Sequence, residues 1–285
     1  MKTKKRRKTA AALLSAALVL TGLAVYGNNV LCTKTYTLPI VNLPQAFEGL
    51  RIVQISDLHS KTFGESHADL LAAVKAQTPD LIFLTGDLIQ EGNPPADLEP
   101  LFAGLTQLAP TYFVTGNHEW VLLNDAREEL FSILNRSGVR RLENEYEVLE
   151  KDGERIVIAG VDDPNGPREH KSARSLVSEI RKAVGEDACI LMLSHRNTEL
   201  SSWANLRVSA VFCGHVHGGI VRLPLLGGVF GTEHDLFPKY DKGVFVMDDT
   251  TMLVSPGLGE HRWLPVRIFN PPELSVAVLT RTEKR

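Results

Sequence analysis

Cysteine is scarce. The 285 residues contain three, Cys32, Cys189 and Cys213. That number is too small and too odd for a disulfide framework, and Cys189 and Cys213 lie in apolar strand-like runs, so they read as buried free thiols. Basic charge is equally sparse beyond the N-terminus. Lys2, Lys4, Lys5, Arg6, Arg7 and Lys8 account for six of the 31 basic residues, which leaves 25 against 34 acidic residues, a formal −9, in the rest of the chain. No basic stripe survives, which argues against nucleic acid as a partner. Internal repeats and low-complexity linkers are also missing after residue 50. With 44% apolar and 23% charged residues, the chain beyond its N-terminal segment has the composition of one globular domain with a real core.

One long apolar run is present. Residues 1–8 are basic and without acid, and Thr9–Tyr26 is almost wholly apolar, at the lower edge of spanning length. Basic residues stay in the cytoplasm, so 1–8 read as a cytoplasmic segment and 9–26 as a transmembrane signal anchor. The rest is then placed outside the cytoplasm. A clean small-x-small cleavage site is lacking, Cys32 follows Leu31 where a lipoprotein signal needs a small residue, and Arg6-Arg7 lacks the apolar neighbours of a twin-arginine signal. A retained anchor is therefore expected, and cleavage would give a secreted form. Residues 27–50 read as an extended lead-in, an edge strand plus a loop, and 51–285 as the folded domain.

Apolar β-branched runs alternate with helical spacing along that domain. Strands are expected at 51–56, 80–85, 111–115, 146–150, 155–161, 189–194 and 211–213, and helices at 66–77, 97–108, 125–136 and 169–184. A run of strands follows at 220–223, 244–247, 252–255 and 274–279. This order implies a layered α/β domain with mixed sheets.

Five of the expected strands end on residues that bind metals: Asp57 and His59, Asp87, Asn117 and His118, His195, and His215 and His217. Five of the nine histidines sit at these ends. Ligands of open α/β folds gather beyond the carboxyl ends of strands, so one site is expected there. In Gly214-His215-Val216-His217-Gly218-Gly219 the two imidazoles leave the chain on one side, and glycine lets backbone crowd in beside them. Carboxylate, amide oxygen and imidazole without thiolate suit Mn, Fe or Zn in a reactive site better than a structural zinc. Seven candidate ligands exceed what one ion with open positions uses, and two divalent ions fit better.

The ordered blocks Asp57-Leu58-His59, Gly86-Asp87, Gly116-Asn117-His118-Glu119, His195 and Gly214-His215-Val216-His217 resemble the calcineurin-like metallophosphoesterase superfamily. The layout as a whole is most similar to its bacterial membrane-associated phosphodiesterases of the YkuE/YaeI type. The resemblance implies a four-layer α/β/β/α sandwich of two mixed sheets. It implies Asp57, His59 and His217 on one metal, Asn117, His195 and His215 on the other, and Asp87 bridging them. His118 would stand near the leaving-group oxygen, and a metal-bridging hydroxide would attack phosphorus. The expected function is hydrolysis of a phosphodiester, without a covalent enzyme intermediate, on a lipid or other cell-envelope component. A phosphomonoesterase on the same site and a non-catalytic scaffold are the alternatives. Gln90-Glu91-Gly92 after the Gly-Asp block, where the serine/threonine phosphatases of the superfamily carry Asp-Arg, argues against that branch. Arg196-Asn197 stands where many relatives have a proline two residues after the histidine.

Arg196, Arg222, His234 and His261 are candidate substrate contacts, and Arg267 is a further candidate for holding a polar head group. His67 and His170 read as surface histidines, Asp162-Asp163 as a solvated turn, and Trp263 as either exposed or core.

Overall fold

The computed structural model describes residues 24–167, 171–261 and 264–283, together with residues 14, 15, 18, 19, 21 and 22. The basic segment 1–8, half of the expected anchor, His170 and Trp263 lie outside the described residues. Among those described, no helix is long and apolar enough to cross a membrane.

Two six-stranded mixed sheets carry the fold. The first contains β1 (Cys32–Ile40), β2 (Arg51–Ile55), β3 (Leu81–Leu84), β4 (Thr111–Phe113), β5 (Arg140–Arg141) and β14 (Glu273–Arg281), in the order β1-β14-β2-β3-β4-β5. The second contains β6 (Glu145–Lys151), β7 (Glu154–Val161), β8 (Ile190–Ser194), β9 (Ala210–Cys213), β12 (Gly243–Met247) and β13 (Thr250–Val254), in the order β12-β13-β9-β8-β7-β6. The central strands β2-β3-β4 and β7-β8-β9 run parallel, while β14 against β2, β6 against β7 and β12 against β13 are antiparallel. The extended lead-in forms the edge strand β1, parallel to β14. A small hairpin, β10 (Arg222–Leu223) with β11 (Gly227–Gly228), stands apart.

Period-two alternation explains the layering. In β3, Leu81 and Phe83 face the core between the sheets, while Ile82 and Leu84 face the helices outside. In β9, Ala210 and Phe212 face inward, and Val211 and Cys213 face the opposite helices. Phe83 and Phe212 meet edge to face at 4.9 Å across the centre. Helices α1 (Ala68–Lys75), α2 (Glu99–Leu108) and α4 (Asn124–Arg136) cover the first sheet, and α5 (Ala173–Val184) and α6 (Leu200–Asn205) cover the second. Because each central strand has both faces covered, these strands read as continuous apolar runs. Gln54 joins the sheets, its Nε2 donating to Cys213 O at 2.8 Å and to Thr85 Oγ1 at 3.0 Å. Cys189 and Cys213 are buried free thiols.

Several boundaries differ from the sequence reading for local reasons. Ser66 and His67 adopt positive φ, so the first helix starts at Ala68. His67 is itself buried rather than at the surface. Pro100 is accommodated in the first turn of α2, so a 3-10 turn over Pro95–Leu98 precedes that helix. Ser172 caps α5 by accepting from Ser175 N, which sets its start at Ala173. Ile220 has φ 54°, and the strand expected at 220–223 shrinks to Arg222–Leu223.

Candidate metal centre and active-site cleft

The central strands of both sheets deliver their carboxyl ends to one place, and the backbone turns sharply there. Asp57, His59, Asp87, His215 and His217 all have φ between 48° and 71°. Such left-handed geometry is uncommon for non-glycine residues and costs of order 1 kcal/mol or more each. Asp and His bear it better than β-branched residues, and the reward is convergence of their side chains. A Cβ on Gly116 would lie 2.2 Å from Asp87 Oδ1, and one on Gly214 would lie 2.2 Å from Asp57 Oδ2. Glycine at these two positions lets the loops close on the carboxylates.

Three overlapping clusters result: Asp57, His59 and His217; His59, Asp87 and His118; and Asp87, His195 and His215. Asp87 Oδ2 lies 3.2 Å from His195 Nε2, 3.8 Å from His59 Nε2 and 4.0 Å from His118 Nε2. His217 Nε2 lies 3.6 Å from Asp57 Oδ1 and 3.1 Å from His59 Nε2, and His215 Nδ1 lies 3.1 Å from His195 Nε2. Asn117 Oδ1 is buried beside them and has no hydrogen-bond partner among the described residues. Buried oxygens are rarely left unsatisfied, so an unpartnered amide oxygen among imidazoles and carboxylates fits a metal ligand.

The outer nitrogens orient the inner ones. His195 Nδ1 lies 2.8 Å from Thr85 O, a group that can only accept, so Nδ1 carries a proton whatever the charge of the ring, and Nε2, which faces Asp87, is the nitrogen that gains or loses one. His59 Nδ1 lies 3.2 Å from Gln90 Oε1, and His215 Nε2 lies 3.1 Å from a Glu233 carboxylate oxygen. Asp87 Oδ1 accepts from His118 N at 2.8 Å, and both Asp57 oxygens accept from His215 N.

Burial dominates the titration. It lowers His59 and His215 to about 3 and His217 well below its ordinary value, so these imidazoles are neutral and able to ligate. At His195 burial is outweighed by Asp87 and Asp57, which raise it to about 10. Burial would raise Asp87, but His195, His59 and His118 hold it well below its ordinary value. Asp57 is pushed up to about 6 by burial, against His195. A metal entering this site must therefore displace the proton on His195, whose raised value keeps it protonated at neutral pH. Affinity then rises with pH up to about 10. Between about pH 6 and pH 8 the apparent Kd for Mn²⁺ should fall by up to ~100-fold if one proton is displaced. Titration calorimetry in buffers of different ionisation enthalpy reads the released proton, and a pH-independent Kd would contradict the assignment.

Glu119 was not singled out by the sequence, although its neighbours were. The segment after β4 forms a short helix, α3 (Asn117–Val121), between the strand and the helix that the sequence indicates at 111–115 and 125–136. Glu119 is fully buried in it and accepts backbone N–H bonds from Gly116 at 2.7 Å, Leu88 at 2.8 Å and Asp87 at 2.9 Å. Burial and the Asp87 charge push it up to about 7, opposed by these donors. One carboxylate thus ties the Asp87 loop to the Asn117-His118 loop. Glu119→Ala should cost about 3 kcal/mol or more in a urea unfolding experiment, because three buried donors lose their acceptor. A change below about 1 kcal/mol would contradict that role.

A cleft of about 430 Å³ opens over the cluster, lined by Asp87, Asn117, His118, His215, His217 and, from later loops, His234, His261, Phe230 and Leu264. The His261 ring meets that of His217 edge to face at 5.4 Å. The arginines are placed differently. Arg196 is paired with Asp163 at 2.7 Å and Glu233 at 2.6 Å, which braces the loop after His195. Asp163 is accordingly buried, and Asp162 accepts from Thr115 Oγ1 at 2.7 Å, so this pair is no solvated turn. Arg222 binds Asp241 and Gly218 O, both at 2.8 Å, and lines a separate groove. Arg267 is fully buried, donates to Gly259 O and Pro256 O, and stands 3.5 Å behind His217 Nδ1. It supports the His217 loop from within the protein rather than holding a head group.

Two mixed sheets between helical layers, with histidines and carboxylates gathered at strand ends beneath an open cleft, define a metal-dependent phosphoester hydrolase. The chain belongs to the calcineurin-like phosphoesterase family, whose model matches residues 50–219. It is 27% identical over 259 residues to the uncharacterized metallophosphoesterase YkuE of Bacillus subtilis, covering 88% of this chain and 86% of that protein. It is 29% identical over 290 residues to a transmembrane protein with metallophosphoesterase domain of Danio rerio, covering 96% of this chain and 63% of that protein. It is 23% identical over 235 residues to the phosphodiesterase YaeI of Escherichia coli, covering 80% of this chain and 82% of that protein.

Proposed function

We propose that this chain is a membrane-anchored phosphodiesterase that holds two divalent ions and acts outside the cytoplasm on a phosphoester of the cell envelope. The observation that carries the reading is the chain of three overlapping histidine-carboxylate clusters, two of which share Asp87, on the floor of an open cleft. Asp57, His59 and His217 would hold one ion and Asn117, His195 and His215 the other, with Asp87 between them. Such ions, whether Mn, Fe or Zn, supply neutralising charge for the phosphoryl oxygens and a hydroxide at neutral pH.

The chain's own groups do the rest. His118 faces the cleft with its side chain 18% exposed, while its backbone N–H holds Asp87 Oδ1. It is placed to give a proton to the leaving-group oxygen. His234 and His261 reach the cleft wall and would orient the phosphoester. His59 packs edge to face against His118 at 4.5 Å, which limits the ring's rotation. The name of the YaeI relative supports diester chemistry, and the sequence of residues 1–26 together with the name of the Danio rerio relative supports the anchor.

The test compares bis-(p-nitrophenyl) phosphate with p-nitrophenyl phosphate on the Mn²⁺-loaded chain. Turnover of the diester well above that of the monoester is expected. Turnover of the monoester alone would replace this reading with a phosphatase.

A further inference from the structure

Large apolar side chains stand in water beside the catalytic cleft. Leu225, at the tip of the β10–β11 hairpin, is fully exposed, and Leu226, Leu236 and Phe237 are each more than half exposed. Hydrogen bonding makes these segments one surface. Phe230 pairs with Leu236 as a β-bridge, Phe237 N donates to Val229 O at 3.0 Å, and Arg222 N donates to Ile268 O at 3.0 Å. Leu225, Leu226 and Phe269 line one groove of about 620 Å³, and Phe230 and Leu264 continue the surface to the cleft wall. Leu225, Phe237 and Phe269 are also held at φ 69°, 54° and 52°. Bulky residues seldom adopt that conformation, so the fold bears a backbone cost to present apolar side chains outward. Exposed large apolar side chains grouped on hydrogen-bonded loops, with Arg222, Lys239 and Asp241 between them, mark an interaction site.

The N-terminal chain identifies what covers it. Asn28 Nδ2 donates to Pro265 O at 2.8 Å, and Arg267 N donates to Asn28 Oδ1 at 2.6 Å. Lys61 Nζ donates to Asn28 O. Asn28 is therefore fastened to the segment that carries Leu264, at the rim of the cleft. N-terminal to that point lies the apolar run 9–26, preceded by six cations. One segment thus joins the two: Pro265 and Arg267 hold Asn28, Ile268 O accepts from Arg222 N of the hairpin, and Phe269 lines the groove with Leu225. Lys239 lines the groove as well, a cation suited to the headgroup level of an anionic bilayer.

We propose that this rim is a bilayer-docking surface: Leu225, Leu226, Leu236 and Phe237 enter the lipid interface, and the cleft opens onto the membrane and takes a phosphodiester in a lipid headgroup. The proposal rests on the membrane-anchored phosphodiesterase reading and narrows its substrate to lipid.

The test uses the full chain with Cys32→Ser, an environment-sensitive fluorophore at Leu225→Cys, and vesicles of equal phosphatidylethanolamine and phosphatidylglycerol. Glu186→Cys, at the opposite ends of the strands, is the labelled control. Blue-shifted emission at 225, quenched by lipid-borne quencher, is expected, with aqueous emission at 186. Leu225→Glu/Leu226→Glu should lower turnover of a vesicle-borne diester lipid at least ~10-fold while leaving a soluble chromogenic diester unaffected, since two apolar side chains lose their transfer into lipid. Aqueous emission at 225 on vesicles that retain the protein would overturn the proposal. So would a blue shift that needs no vesicles and grows with protein concentration, which would assign the rim to a second copy of the chain. Loss of turnover on every diester with the lipid-dependent blue shift intact would uphold docking and remove the phosphodiesterase reading instead.

Discussion

Asp87→Asn is expected to lower diester turnover by more than about 10³-fold, because a metal-supported transition state loses several kcal/mol when its shared carboxylate is neutralised. The substitution changes little else. Asn keeps the Oδ1 acceptor for His118 N, and Glu119 binds the backbone N–H of residue 87 rather than its side chain. What disappears is the negative oxygen that lies within 4.0 Å of three imidazole nitrogens. Loss of that anionic ligand oxygen should make the variant bind Mn²⁺ weakly and take up fewer ions at saturation, even though the main partner raising His195, and with it the competing proton, is gone as well. Steady-state kinetics with metal analysis of the same samples gives both quantities. A variant with full turnover would remove Asp87 from the centre of the site.

His118→Gln should behave in the opposite way toward metal. Its Nε2 is the most distant of the three from Asp87 Oδ2, and the backbone N–H that holds Asp87 survives the substitution. Metal content should be retained while kcat falls about 10²- to 10⁴-fold, the range for loss of a positioned acid. The loss should be greatest for alkoxide leaving groups and small for p-nitrophenolate, which departs without a proton. An equal loss for both leaving groups would make His118 a structural or charge-bearing group rather than an acid.

The candidate site was legible because its residues are chemically distinctive and end apolar runs. Asp57, His59, Asp87, Asn117, His195, His215 and His217 each stand at or just past the end of such a run, and the structure brings all of them together. Their supports were not legible, because those contacts are long in sequence and use ordinary residues. Arg267 stands behind His217 and Asn270 donates to His217 O from 50 and 53 residues away. Glu233 reaches His215 from a loop without regular pattern. Glu119 lay in the recognised block, but nothing in Gly-Asn-His-Glu reveals that its carboxylate gathers three backbone donors. The arginines show the converse. Arg196 and Arg222 read as anion contacts by type, and their carboxylate partners Asp163, Glu233 and Asp241 emerge only once the chain is folded. In the fold, strand interiors were the secure part because both faces are buried, and helix starts moved wherever a positive φ or a proline intervened.

The most direct measurement strips the full chain with chelator and restores Mn²⁺ stepwise while diester turnover is followed. A centre built by two clusters around one shared carboxylate should show no turnover in chelator, little after one equivalent and full recovery at two, with the Asp87→Asn chain silent throughout. Full turnover at one equivalent, or any that survives the chelator, would contradict it.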